Sequence, residues 1–188
     1  MSRTPPHVRP PRVYLTGFMG SGKSTVGPVL ANTLGYTFVD LDGAIEAQTG
    51  ATIAGLIRDR GEAEFRRIER EVFLEASSPE RLVIALGGGA ITDTQTLAHA
   101  HATGVLVYLR LSLDEILTRV QRTIDRPLLL SPQGTPMSNE ALQDRVRSLL
   151  AAREPLYLTA DIVVHVSGGD LGRTVDTIAR ELGQFLPR

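Results

Sequence analysis

The chain has 188 residues, 42% of them hydrophobic and 22% charged, with a formal net charge of −1. That length suits one globular domain with a core of its own, and so even a charge balance does not imply a nucleic-acid-binding surface. The absence of cysteine excludes disulfides, thiol chemistry and Cys-ligated zinc, and no apolar run approaches transmembrane length.

The N-terminal stretch is rich in proline and charge and has no apolar segment of the secretory kind. It reads as an extended tail over residues 1–11 ahead of a folded domain over 12–188, with the cytoplasm as the default location. Strands are expected at 13–16, 37–40, 82–86, 105–109 and 162–166, short and aliphatic as befits strands covered on both faces. Helical patterns fall at 24–34, 43–49, 52–59, 62–77, 94–101, 113–122, 139–153 and 171–182. Ser112 and Glu115 form a capping box, and Asp170 can cap the last helix. Strands alternating with helices predict an α/β fold with a five-stranded parallel sheet.

After the first strand comes Gly17-Phe18-Met19-Gly20-Ser21-Gly22-Lys23-Ser24, which fits the phosphate-binding pattern G-x-x-x-x-G-K-[ST] between a strand and a helix. Glycines let successive N–H groups turn around a phosphate, and the following helix N-terminus adds partial positive charge. Gly20, Ser21, Gly22, Lys23, Ser24 and Thr25 are therefore the expected nucleotide contacts, with Lys23 on the β/γ-phosphates and the Ser24 hydroxyl on Mg²⁺. Lys23 is the only lysine in the chain. A compact ammonium stands where a cation must fit among phosphate oxygens, and arginine serves everywhere else. Pro28 falls within the next helix and removes the amide partner of the Ser24 carbonyl, so a bend or a water is expected there.

The second strand runs into Asp40-Leu41-Asp42. Alternation would put both carboxylates on one side at the ligand-facing end, Asp40 for the metal shell and Asp42 to orient or deprotonate an acceptor hydroxyl. The plainer alternative is that Asp42 caps a helix starting at Gly43. In the segment 61–70, Glu62–Arg66 and Arg66–Glu69 have the spacing of helical ion pairs. Gly87-Gly88-Gly89 follows the third strand, where three glycines mark a close backbone approach more than a simple turn. His99 and His101 do not share a helical face, and no histidine is given a role.

Taken with Ile45-Glu46, Thr49-Gly50, Phe65-Arg66, Arg126-Pro-Leu-Leu129 and Arg153-x-Pro-Leu-Tyr157, these motifs resemble the shikimate kinase family over nearly the whole span 13–182. The resemblance implies a P-loop NTPase fold of the nucleoside-monophosphate-kinase type with a mobile lid, and transfer of the ATP γ-phosphate to the 3-hydroxyl of shikimate with Mg²⁺. It implies that Arg66 and Arg153 clamp the substrate carboxylate beside Gly87, Gly88 and Gly89. Asp42 then holds the reacting hydroxyl, Asp40 stands beside the metal, and Glu69 steadies Arg66. Arg126 would reach the transferring phosphate from the lid, and Arg119 would lie against adenine, unless it is one more exposed helix arginine. Residues 130–137 make the lid longer than the family's usual form, and Ile57 stands where an aromatic is common. The family is expected to act as a monomer on a small molecule, with neither nucleic acid nor membrane as partner. A gluconate kinase is the alternative, since gluconate is also a hydroxylated carboxylate. A guanine-nucleotide switch needs an Asn-Lys-x-Asp base reader, which a chain with its one lysine in the phosphate loop cannot contain.

Overall fold

The computed structural model describes residues 12–121, 138–166 and 170–185. Among them are five strands, β1 (Arg12–Thr16), β2 (Thr37–Asp40), β3 (Leu82–Ala85), β4 (Val105–Arg110) and β5 (Ile162–His165). The helices are α1 (Lys23–Leu34), α2 (Leu41–Thr49), α3 (Ile53–Arg60), α4 (Glu62–Ala76), α5 (Thr94–Thr103), α6 (Leu113–Gln121), α7 (Asn139–Tyr157) and α8 (Leu171–Leu182). One short 3₁₀ turn, Ala90–Thr92, follows the glycine triplet and has no counterpart in the sequence expectation.

All strand pairs are parallel, in the order β2-β3-β1-β4-β5. Val13 pairs with both Val83 and Val105, so β1 is the central strand. It is buried throughout Val13–Thr16, as are all of β3 and most of β4, which explains their aliphatic runs. The chain leaves β1 toward β2 on one side and leaves β3 toward β4 on the other. Right-handed crossovers then place α1 and α5 on opposite faces. The direction reverses between β1 and β3, and the crevice at their carboxyl ends is where such sheets bind ligands.

Local caps follow the sequence closely. The Ser112 hydroxyl and amide both donate to Glu115 at 2.8 Å, and the Glu115 amide donates back to Ser112 Oγ. Asp170 accepts from the Arg173 amide at 3.0 Å. Helix α1 continues unbroken through Pro28; Ser24 and Pro28 are both exposed, so water can serve the carbonyl that lacks an amide. Helix α7 also outruns its expected end at 153, continuing past Pro155 to Tyr157. Its last turn is held from outside, because Tyr157 is fully buried and stacked on Tyr108 at 5.0 Å. No helix among the described residues is long and apolar enough to cross a membrane.

Candidate active site

The loop after β1 carries Gly20 and Gly22 at φ of 78° and 93°, backbone that only glycine adopts without strain. Gly22 caps α1 without any side-chain oxygen occupying the helix N-terminus, so its amides face an anion site. The Lys23 ammonium lies back over the loop, donating to the carbonyls of Gly17 at 2.8 Å and Phe18 at 3.3 Å. Arg119 is half-buried and donates to the Gly20 carbonyl at 2.9 Å, which sets aside the exposed-arginine alternative. Together with Ser21, Thr25, Asp170 and Thr174 it lines a side cleft of about 120 Å³ that opens from the loop.

The two aspartates are placed differently from the expected strand alternation. β2 ends at Asp40, and Asp42 sits in the first turn of α2. Asp40, and not Asp42, caps this helix, accepting from the amides of Asp42 at 3.1 Å and Gly43 at 3.4 Å. The reason is steric: an extended residue directly before a helix is the one whose carboxylate reaches the next amides. The other Asp40 oxygen accepts from the Ser24 hydroxyl at 2.6 Å. A hydroxyl and a carboxylate side by side at the phosphate loop are the hard oxygen donors that suit Mg²⁺, which takes one or two protein ligands and fills its shell with water and phosphate. Both aspartates line a cleft of about 250 Å³ with Gly20, Lys23, Ser24 and Gly88.

The charges of α4 divide between two duties. Arg67 pairs with Glu64 at 2.7 Å and Glu71 at 2.5 Å on the exposed face, a solvated network. Arg66 turns inward, bonded to the buried Glu69 at 2.5 Å and to Glu62 at 3.3 Å. Burial pushes the Glu69 carboxyl above the ordinary range, opposed by Arg66 and reinforced by Asp42 and Asp93. Burial also works against the Arg66 charge, but Glu69 and Glu62 outweigh it and the guanidinium is held protonated.

The glycine triplet fits between these groups because it has no side chains. A Cβ on Gly87 would stand 2.8 Å from both Asp42 Oδ1 and Glu69 Oε1. From the other side comes Arg153 on α7, itself buried, donating to the Gly88 carbonyl at 3.3 Å. Tyr157, one turn on, donates to the same carbonyl at 2.5 Å. Arg66 and Arg153 therefore approach one short backbone stretch from opposite elements, beside the cleft that holds Asp42 and Lys23.

Arg126 and the long segment 130–137 lie outside the described residues. Every other expected site residue stands at this crevice or its side cleft. His99 instead packs edge-on against Phe73 and meets Ser77 at 3.0 Å. The sequence motif includes Tyr157 without giving it a role, and Tyr108 has no place in it.

A family model described as shikimate kinase matches residues 19–186. A shikimate kinase of Chlorobium phaeobacteroides is 41% identical over 93% of this chain and 92% of its own length. The structure of a shikimate kinase from Acinetobacter baumannii in complex with shikimate superposes with a TM-score of 0.84, at 35% identity, covering 94% of this chain and 95% of that one. The Aquifex aeolicus shikimate kinase gives 0.79 at 31% identity, covering 92% and 96%. A gluconokinase from Sinorhizobium meliloti matches at 19% identity with a TM-score of 0.56, a likeness of fold alone. With the family model and a near-full-length relative agreeing, the chain belongs to the shikimate kinase family.

Proposed function

We propose that this protein transfers the γ-phosphate of ATP to the 3-hydroxyl of shikimate, a step in aromatic amino acid biosynthesis, as a cytoplasmic monomer. The observation that carries the reading is the convergence of Arg66 and Arg153 on the Gly88–Gly89 backbone beside a phosphate loop. Two guanidinium forks match a carboxylate, and the absence of side chains on the triplet admits a ring. The family match and the shikimate-bound relative favour shikimate over gluconate as the acid.

In this reading Gly20, Gly22 and the amides at the start of α1 hold the nucleotide phosphates, and Lys23 leaves the Gly17 and Phe18 carbonyls for the β/γ-oxygens. Arg119 and its side cleft take adenine. Ser24 and Asp40 would hold Mg²⁺, which when bound would neutralise phosphate charge. The clamped acid presents its 3-hydroxyl to Asp42, which orients it and accepts its proton. The hydroxyl oxygen forms the new bond to phosphorus as the bond to the ADP oxygen breaks. Arg126 stabilises charge on the phosphoryl oxygens. Positioning and electrostatics supply the acceleration, since phosphoryl transfer leaves little covalent work for the protein. The test is ADP release in a coupled assay with shikimate, with gluconate and with no acceptor. Shikimate should raise the rate far above background; a rise with gluconate alone would reverse the assignment.

A further inference from the structure

The Gly88 carbonyl accepts two hydrogen bonds, a short one from the Tyr157 hydroxyl at 2.5 Å and a longer one from Arg153 Nη1 at 3.3 Å. Arg153 and Tyr157 stand four residues apart on α7, on one helical face. Tyr157 has no freedom to leave: its ring is fully buried and stacked on Tyr108, itself in the central part of the sheet next to Thr16. Arg153, by contrast, makes the weaker bond to the same oxygen.

We propose that Tyr157 is a positioning residue of the acid subsite, which pins the Gly88 carbonyl so that the Gly88–Gly89 peptide is aimed and Arg153 is free to turn to the substrate. This rests on the reading of the site given above. Two physical consequences follow from the one bond. First, there are no cis peptides among the described residues, and a trans peptide points its C=O and N–H in opposite directions. A Gly88 carbonyl fixed toward α7 aims the Gly89 N–H away from α7. Second, a partly buried carbonyl abandoned by its donor carries a cost. With Tyr157 in place, Arg153 can give up its long bond to Gly88 for a carboxylate without orphaning that oxygen. The phenol remains a donor throughout the physiological range, since burial pushes its pKa up to about 12.

The experiment is Tyr157→Phe in the full chain, with KM measured for shikimate, for its methyl ester and for ATP. Loss of the bond should raise the shikimate KM about tenfold, the worth of one good hydrogen bond to a polar partner. The ester, which lacks the charge that Arg153 turns to meet, should change less than threefold, and the ATP KM less than twofold. A purely structural role would move the ATP and shikimate values together, or neither, and either result overturns the proposal. Should the variant not fold, amide exchange on the wild-type chain decides: saturating shikimate must slow exchange at Gly89, and unchanged exchange overturns the aiming role. If the wild-type enzyme does not phosphorylate shikimate, the functional reading has failed instead.

Discussion

Arg66 and Gly89 are in such close contact that a Cβ on the glycine would stand 2.5 Å from one guanidinium nitrogen and 3.0 Å from the central carbon. Arg66 is held there by Glu69 behind it, so it cannot retreat without breaking a buried ion pair. The glycine is therefore a requirement of the arginine's position. Gly89→Ala should displace the guanidinium, raising the shikimate KM at least tenfold while the ATP KM changes little. The clash is with the end of a flexible side chain, so the effect should fall on KM more than on Tm.

Glu69 should act on both substrate affinity and pH response. Glu69→Gln weakens the anchor of Arg66, and the shikimate KM should rise roughly tenfold, in line with the 1.5–3 kcal/mol of a charged hydrogen bond. The folded-state pKa of Glu69 is raised above its unfolded value. The folded chain therefore binds this proton more tightly, and its contribution to stability is greatest at low pH. That contribution is lost as pH rises from the ordinary carboxyl value through the raised one. Melting temperatures across pH 4–7 should show this decline in the wild type and a flatter profile in Glu69→Gln. Parallel profiles would contradict the burial argument.

His99 gives the opposite sign. Its pKa is lowered, by burial first and then by the Arg12 charge. A depressed histidine leaves stability intact above the unfolded value near 6.5, and stability falls as pH drops through the lower folded value. His99→Gln should lose less Tm than the wild type between pH 7.5 and 5.5, with the kinetics at pH 7.5 unchanged.

Much of this was readable in the residues because short-range rules governed it. The phosphate loop, the Ser112–Glu115 box and the strand cores depend on local spacing, and strand bounds fell within about a residue of expectation. Two features escaped, one to a local helix cap and one to a tertiary contact. Strand alternation puts Asp42 on the same face as Asp40, but β2 stops once Asp40 bonds the amides that start α2. The helical pattern stops at Arg153, short of the four-residue spacing that puts Tyr157 on the same face. Burial of Tyr157 against Tyr108 outweighs the proline, and no local pattern carries that information.

The lone lysine permits a chemical test. Acetylation can modify only Lys23 and the α-amino group, since no other lysine is present. Lys23 already bonds two loop carbonyls, so a bound nucleotide need only shift it a short way. ATP should slow both inactivation and Lys23 acetylation severalfold by mass spectrometry, and shikimate alone should protect little. Equal modification with and without ATP would place Lys23 off the phosphates.

The central claim is a division of labour: the ammonium on the nucleotide, the guanidinium groups on an organic acid. It is tested most directly by the KM values for shikimate and ATP in Arg66→Ala and Arg153→Ala. Each variant should raise the shikimate KM about ten- to hundredfold, the loss of one charged partner worth ~1.5–3 kcal/mol, and leave the ATP KM within about twofold. A comparable rise in both constants, or an unchanged shikimate KM in either variant, would contradict the account.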